Sequence, residues 1–333
     1  MMQMLLDIQD LKTVFTTARG EIKAVDGVSL SLMAGQTMGV VGESGCGKTM
    51  LALSVMNLIP ANGRIAHGRV MFDGVDLLSL PQQKMREKRG RDISMIFQEP
   101  MTSLNPVLRI GQQIEEVIRL HLHLSPREAR LTSIKMLEEV GIPVPEKRAR
   151  DYPHQLSGGM RQRVMIAMAM ACRPRLLLAD EPTTALDVTT QAQILNLISY
   201  LQAKNNMAVM LITHDLGVVA QMTKKVAVMY AGKMVELASA EKLFGRPAHP
   251  YTIGLIESRP AGCDASRPEG GRLKTIPGTV PGLYNLPPGC RFVDRCAWAE
   301  DVCRRQEPSL TKIEEDHFTA CYFPRNMAHG RKL

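Results

Sequence analysis

The chain has 333 residues, of which 45% are hydrophobic and 22% are charged, a composition typical of a globular protein rather than a disordered or fibrous one. The longest uninterrupted apolar run, residues 164–172, is too short to span a bilayer, and Asp7 and Asp10 interrupt the N-terminal apolar stretch, so we expect a cytoplasmic protein without a signal peptide. The formal net charge of +8 is scattered apart from residues 84–91, which favours a mildly basic surface over a nucleic-acid site.

The first part of the chain predicts β-structure around a glycine-rich loop. Residues 4–15 and 24–33 alternate apolar and polar side chains and predict two strands, while residues 69–74 predict a strand followed by an Asp-Gly turn. Between them, the apolar segment Thr37–Val41 predicts a buried strand. The loop follows it, and the helical run of residues 50–59 then ends before Pro60. We therefore expect a small antiparallel layer beside the loop.

The middle of the chain predicts helices first and strands afterwards. Residues 93–97 predict a strand, and the pattern then becomes helical from Gly111 to Cys172. Within that stretch, Ser125 to Glu128 form a capping box, and Gly141 is suited to the position after a helix. Strands return at residues 175–179, 208–213 and 226–230, with a long helix between the first two. This alternation predicts an α/β fold with a mainly parallel core sheet.

The composition changes after about residue 245. Half of the 20 prolines lie beyond that point, and helical periodicity is weak there. We therefore predict a domain of residues 1–245, with a helical subdomain of about residues 99–172, followed by a loop-rich appendage of residues 246–333.

The loop carries a phosphate-binding pattern. Its sequence matches G-x-x-x-x-G-K-[ST] and lies between a strand and a helix, which argues against a glycine-rich turn that binds nothing. Backbone N–H groups and the helix N-terminus favour an anion there, Lys48 is suited to the β- and γ-phosphates, and the Thr49 hydroxyl is suited to Mg²⁺. The predicted nucleotide contacts are Gly42, Glu43, Ser44, Gly45, Cys46, Gly47, Lys48, Thr49 and Met50.

Two further segments offer chemistry that a nucleotide needs. Asp180 and Glu181 end an apolar strand, where the first can orient Mg²⁺ and the second can act as general base toward water. Alone, such a pair is more often a cap or a turn. Residues 157–159, Ser-Gly-Gly, open a helix and form either an anion site or an ordinary N-cap.

These segments stand in the order of a known family. Together with Gln98, Asp187 and His214, they make residues 5–245 resemble the nucleotide-binding subunit of an ATP-binding cassette (ABC) transporter. The resemblance implies an ABC-type P-loop fold and an ATPase that uses ATP and Mg²⁺. It implies that Phe15 stacks on adenine and that Gln98 senses the γ-phosphate and Mg²⁺. It further implies the following roles: Ser157, Gly158 and Gly159 contact the partner's ATP, Asp187 lies at the dimer contact, and His214 lies near the γ-phosphate.

Three other segments narrow the resemblance. Residues 99–106, 249–252 and 276–282 are similar to the ATPases of oligopeptide and dipeptide importers, in particular the D-type subunits of dipeptide permeases. The resemblance implies a heterodimer with a second ATPase, two membrane permeases, a peptide-binding protein that acts indirectly, and a peripheral place on the cytoplasmic face of the inner membrane.

Alternative functions remain at this point. Nickel and glutathione importers share these segments. A soluble ABC ATPase acting on nucleic acid is a rival. A regulatory cassette without catalysis is another, although the motif residues that it would lack are intact: Lys48, Asp180, Glu181 and His214. We expect no nucleic-acid partner, because neither a second cassette nor a long coiled coil is present in the sequence.

Five of the 7 cysteines lie after residue 260, a clustering that favours a metal over disulfides in the cytoplasm. Four of them, spaced C-x₅-C-x₆-C-x₁₇-C, are Cys290, Cys296, Cys303 and Cys321. Zinc sites more often have tight C-x₂₋₄-C pairs, wider spacing suits a larger cluster, and four ordinary buried thiols are the third alternative. The family resemblance implies a structural [4Fe–4S] cluster at these four positions.

Overall fold

A computed structural model describes residues 3–98, 103–184, 186–258 and 275–326 of the protein. The chain divides into two compact units. One unit contains the Ser-Gly-Gly helix start of residues 157–159, which we call the signature segment, and we therefore name it the signature unit. It comprises Met1–Leu5, Met33–Gln36 and Ser79–Leu211. The phosphate-loop unit comprises Leu6–Leu32, Thr37–Leu78 and Ile212–Leu333.

Strands and helices alternate along most of the chain. The strands are β1 (Met4–Thr17), β2 (Gly20–Met33), β3 (Thr37–Val41), β4 (Gly63–Phe72), β5 (Val75–Asp76), β6 (Ile93–Ile96), β7 (Leu176–Asp180), β8 (Ala208–Ile212), β9 (Lys225–Tyr230), β10 (Lys233–Ser239), β11 (Thr311–Glu314) and β12 (His317–Thr319). The helices are α1 (Lys48–Val55), α2 (Gln82–Lys88), α3 (Ile110–Leu122), α4 (Pro126–Glu139), α5 (Pro145–Arg148), α6 (Gly158–Met170), α7 (Val188–Asn205), α8 (Leu216–Met222), α9 (Ala240–Gly245), α10 (Pro250–Glu257) and α11 (Asp301–Arg305). Short 3₁₀ turns lie at Leu77–Ser79, Pro153–Gln155 and Val293–Arg295. The α/β class predicted from the alternation is confirmed.

The phosphate-loop unit contains two groups of strands. One is the layer β2-β1-β4-β5, in which β4 pairs antiparallel with β1 and β5. In the other, β3 pairs parallel with β9, β9 pairs antiparallel with β10, and β12 joins the far side of β10. The hairpin of β11 and β12, which the sequence analysis missed, therefore adds residues of the appendage to the sheet that carries the phosphate loop.

The signature unit combines parallel strands with a helical region. Strands β8, β7 and β6 lie in that order, and β6 pairs with β7 in parallel from Ile93↔Leu176 to Ile96↔Ala179. Helices α3, α4 and α6 pack against one another. The predicted capping box is present, since the Ser125 Oγ accepts from the Glu128 N–H, and Gly141 has a φ of +73° just past α4. The predicted helix and its C-terminal glycine are confirmed.

One predicted element has different bounds in the structure. The helix after the phosphate loop was expected over residues 50–59, whereas α1 begins at Lys48 and ends at Val55. Asn57 has a φ of +49°, a left-handed conformation that stops a helix two residues after its last turn. The apolar residues beyond it were therefore wrongly included in the predicted helix.

Candidate nucleotide-binding site

The phosphate loop is built on glycines that no other residue could replace without strain. Gly42, Gly45 and Gly47 have φ values of +152°, +78° and +102°. A Cβ at Gly42 would lie 2.2 Å from the Met229 carbonyl oxygen, and one at Gly47 would lie 2.2 Å from that of Ala24. Positive φ and the absence of a side chain let the loop curl tightly, which is the backbone geometry that anion-binding loops require.

Lys48 lies folded over this loop. Its ammonium donates to the carbonyl oxygens of Gly42, at 2.8 Å, and of Glu43, at 3.0 Å, and the residue is only 6% exposed. Thr49 and Met50 follow in the first turn of α1, where both are half-buried. The arrangement places at one loop a cation and a helix N-terminus, which suit phosphates, and a hydroxyl, which suits Mg²⁺.

Two of the other predicted nucleotide contacts differ in accessibility. Cys46 is fully buried, and burial raises the pKa of its thiol, an effect that outweighs the lowering by nearby Lys48. Its sulfur therefore stays protonated and inert at neutral pH. Phe15 is half-buried in β1, opposite Gly63 of β4, and the strand continues to Thr17 instead of ending at Phe15.

In the signature unit, two predicted site residues, Gln98 and Glu181, are in contact. Asp180 is buried at the end of β7, and Glu181 follows with a φ of +46°, a left-handed conformation that is costly for a residue with a side chain. The Glu181 Oε2 accepts from the Gln98 Nε2, at 3.1 Å, and from the Thr184 hydroxyl, at 2.9 Å. The strained backbone and these donors hold the carboxylate at a defined place beyond the strand end.

Residues 157–159 form an exposed helix start. The Ser157 Oγ accepts from the Met160 N–H at 3.3 Å, Ser157 and Gly158 are exposed, and Gly159 is half-buried. A Cβ at Gly159 would lie 2.8 Å from the Thr190 Cγ2. The glycine therefore lets the start of α6 lie against the first turn of α7.

That neighbouring helix also begins with a polar cap. The exposed Asp187 accepts from the Thr190 N–H, at 2.9 Å, and from its hydroxyl, at 2.7 Å. Hydrogen bonds from Thr190, first of all from its backbone, lower the pKa of the Asp187 carboxyl. Ala185, in the predicted dimer segment, lies outside the described residues, as do residues 99–102 of the segment after Gln98.

His214 lies two residues beyond β8 and is exposed. The next residue, Asp215, caps α8 by accepting from the N–H groups of Gly217 and Val218, at 2.7 and 3.2 Å. This cap defines the direction in which the chain leaves the strand end.

The four late cysteines line one apolar cavity in the phosphate-loop unit. They are free thiols, and burial raises the pKa of Cys290 to about 11 and that of Cys321 to about 12, with the other cysteines adding to both shifts. Among the described residues, no group of three or more His, Cys, Asp or Glu side chains stands in position to hold a single metal ion.

Two residues that contact the loop were not predicted from the sequence. Tyr251 accepts a hydrogen bond from the Glu43 N–H, and Arg295 forms an ion pair with the Glu43 carboxylate. They lie 208 and 252 residues away along the chain, so no local pattern connects them with the loop.

In the part of the chain that the structure describes, no helix has the length and hydropathy needed to cross a bilayer.

Comparisons with known proteins agree with this geometry. Residues 25–184 match the family model described as ABC transporter, and residues 235–303 match the C-terminal region of oligopeptide/dipeptide transporters. The chain is 49% identical to the oligopeptide transport ATP-binding protein OppD of Escherichia coli, over 96% of this chain and 93% of the relative. It is also 49% identical to the dipeptide transport ATP-binding protein DppD of Bacillus subtilis, over 100% and 98%. Among solved structures, it resembles the dimeric post-hydrolysis state of the cassette MJ0796 bound to ADP and Pi, with a TM-score of 0.64 and 26% identity, over 71% of this chain and 98% of that one.

Proposed function

Because the chain belongs to the family of ATP-binding subunits of peptide ABC transporters, we propose that it hydrolyses ATP to power the uptake of dipeptides or oligopeptides through partner permeases. The observation that carries this proposal is the likeness over the whole chain, including the C-terminal region described for oligopeptide and dipeptide transporters. The likeness to the MJ0796 cassette, in contrast, covers 71% of this chain.

The roles of the site residues form the second part of the proposal. Backbone N–H groups of the loop beyond Glu43 and the Lys48 ammonium bind the phosphates, while Phe15 stacks on adenine. Mg²⁺ is held by Thr49, Gln98 and Asp180. Glu181 takes the proton of the attacking water, with its carboxylate placed by the Gln98 and Thr184 donors, and His214 contacts the γ-phosphate.

The third part concerns partners. Exposed N–H groups at the helix start of residues 157–159 are suited to an anion supplied from outside the chain. We therefore propose that they contact the ATP of a second ATPase subunit, a different chain, and that Asp187 lies at the same interface. The pair would dock on two permeases at the cytoplasmic face of the inner membrane, with a peptide-binding protein on the other side.

The fourth part is a [4Fe–4S] cluster at Cys290, Cys296, Cys303 and Cys321. Its support is the convergence of all four thiols on one apolar cavity, because four cysteines are the ligand set of such a cluster. Raised thiol pKa values mean that binding must displace protons, so loading is favoured at higher pH. When bound, the cluster would hold the appendage together. Anaerobic protein should contain about four irons per chain. One zinc per chain, or four titratable thiols without metal, would exclude it.

Transport in proteoliposomes tests the function. The full chain is reconstituted with its second ATPase, the permeases and the binding protein, and ATP-dependent uptake of a labelled dipeptide is measured. Glu181→Gln should abolish uptake, whereas Glu241→Gln, the same chemical change at an exposed residue of α9, should not. ATP-dependent uptake of Ni²⁺ without peptide uptake would reject the peptide cargo and favour the nickel alternative.

A further inference from the structure

The phosphate loop is anchored by residues from the far end of the chain. Both anchors act on Glu43, the second residue of the loop. The Glu43 N–H donates to the Tyr251 hydroxyl at 2.8 Å, while the Arg295 guanidinium donates to both carboxylate oxygens, at 2.6 and 3.0 Å. Backbone and side chain of one loop residue are therefore held by two residues of the appendage.

Arg295 is itself rigidly placed. Its side chain is 5% exposed, and its Nε donates to the Pro277 carbonyl oxygen at 2.8 Å. The guanidinium carbon lies 5.8 Å from the ring centre of Tyr230 and 5.9 Å from that of Phe292. The hydrogen bonds to Glu43 raise the pKa of Arg295, so its charge is permanent. A planar fork that is buried, stacked and bonded on three nitrogens fixes the carboxylate both in position and in orientation.

Tyr251, the second anchor, is also rigidly placed. It is fully buried, and its ring lies 4.6 Å from that of Tyr230 and 5.4 Å from that of Phe292. These three rings belong to one apolar core that joins α10 and the residues after Cys290 to strand β9. The anchors on Glu43 therefore depend on the packing of the appendage.

The anchored residue is connected to the phosphate-binding lysine. The Glu43 carbonyl oxygen accepts from the Lys48 ammonium at 3.0 Å, so the residue held by Arg295 also positions Lys48. Glycines in the rest of the loop lose much conformational freedom when the loop is ordered, and a Cβ at Gly45 would touch nothing, so side-chain packing does not order this tip. An external anchor reduces that entropic cost before the ligand arrives.

We propose that Arg295 is a positioning residue for ATP, which holds Glu43 so that the phosphate loop is ordered in advance and the affinity for ATP depends on a docked appendage. This inference rests on the ATP-binding part of the proposed function and not on the nature of the cargo. If the importer takes up no peptide but Arg295→Ala still weakens ATP binding, the proposed cargo is rejected and this inference stands.

The test is the affinity of the full-length chain for Mg²⁺·ATP, measured by titration calorimetry. Arg295→Ala should weaken binding about tenfold, because apparent affinity falls in proportion to the fraction of loops already in the binding conformation. In the assembled importer, KM for ATP should rise with kcat unchanged, since saturating ATP restores the loop.

Arg291→Ala is the matched control. Arg291 is similarly buried and also bonds the appendage to the rest of the unit, through Asp26 and the Ala231 carbonyl oxygen rather than through Glu43, while its Nε donates to Glu307 within the appendage. This variant should lower thermal stability without lowering the ATP affinity of the folded protein. Equal losses of affinity in both variants, or no loss in Arg295→Ala, would overturn the proposal.

A double variant checks the route of the effect. If Arg295 acts through Glu43, then adding Arg295→Ala to Glu43→Ala should cause no further loss of affinity. Additive losses would contradict the proposal.

Arg295→Lys replaces Arg295→Ala if that variant does not fold. Lysine keeps the positive charge but not the planar fork of the guanidinium, so this variant should show native circular dichroism and an ATP affinity between those of the native chain and a chain without the contact. Native affinity in that variant would also count against the proposal. The iron content of each variant is measured in parallel, and only preparations of equal iron content are compared.

Discussion

The phosphate loop and the helix start at residues 157–159 both present backbone donors to an anion, yet they are supported in opposite ways. In the phosphate loop, Cys46 and Lys48 are buried, and Glu43 is held by Tyr251 and Arg295 from the appendage. At the other site, Ser157 and Gly158 are exposed, and the support that we describe is local capping. Distant residues of the chain thus support the phosphate loop, whereas the helix start at residues 157–159 is exposed, as the proposed contact with a partner's ATP requires.

This contrast has a physical reason. A site that must hold its ligand before any partner arrives benefits from being ordered in advance. A helix start that meets its ligand only on assembly can remain exposed, because water satisfies its N–H groups until then. Substitutions at the two sites should therefore differ in whether they affect nucleotide binding, turnover or neither.

The largest effect is expected from Glu181→Gln. Removing a general base slows hydrolysis by about 10²- to 10⁴-fold, while ATP still binds because the phosphate loop is unchanged. Single-turnover hydrolysis and ATP affinity should be measured together, with Glu241→Gln as the control. A loss of affinity rather than turnover would instead show a structural or metal-binding role for Glu181.

Lys48→Ala should be nearly as severe, but unlike Glu181→Gln it should weaken ATP binding as well as turnover. Loss of the ammonium removes the charge placed over the loop and lowers turnover by about 10²- to 10³-fold, with weaker ATP binding. The measurement is ATPase activity in a complex whose second ATPase has been inactivated. Near-normal turnover there would contradict the assignment of Lys48 to the phosphates.

Ser157→Ala sharpens the comparison, because its effect on nucleotide chemistry should be confined to the assembled complex. Loss of the cap destabilises α6 by about 1 kcal/mol, and turnover in the complex should fall about tenfold. ATP affinity of the isolated chain should stay unchanged. The matched control is Ser239→Ala, which removes an equivalent cap from α9. Equal effects of the two variants on turnover would remove the case for a partner's nucleotide at Ser157.

A smaller effect is expected from acid at Asp187. Since its pKa in the folded protein is lowered from the ordinary 3.8, the stabilisation is present above that value and disappears as the pH falls through the folded pKa. Melting curves between about pH 5 and pH 2.5 should show a steeper loss for the native chain than for Asp187→Asn. Parallel curves would mean that the Thr190 hydrogen bonds do not discriminate between the charged and neutral carboxyl.

The smallest effect belongs to Cys46→Ser. The thiol is buried with a raised pKa and bonds the phosphate loop only weakly, its sulfur lying 3.7 Å from the Lys48 ammonium. ATPase activity should remain within about twofold of the native value, because a hydroxyl replaces a small neutral group of similar size. A drop of an order of magnitude would indicate that the thiol has a function in the loop.

The elements that could be predicted from the sequence are those specified by residues close together in the chain. The capping box at Ser125, the left-handed Gly141 and the strand Thr37–Val41 all depend on neighbouring residues, and the structure contains each of them. The helix after the phosphate loop was placed too long, because Asn57 can adopt a left-handed turn that an apolar pattern does not reveal. The hairpin of β11 and β12 was missed because a short polar segment gains its strand structure by pairing with the edge of β10.

What the sequence alone determined is the chemistry: a loop whose glycines, lysine and threonine suit phosphate and Mg²⁺, and a strand ending in two carboxylates. Motifs of this kind depend on residues within a few positions of one another, so they can be recognised without a fold. Only the tertiary structure decided what supports them. The contact of Gln98 with Glu181, the gathering of four thiols at one cavity and the hold of Arg295 on Glu43 join residues far apart in the chain. Such pairings depend on how buried apolar surfaces pack, because packing alone brings distant polar groups within hydrogen-bond distance.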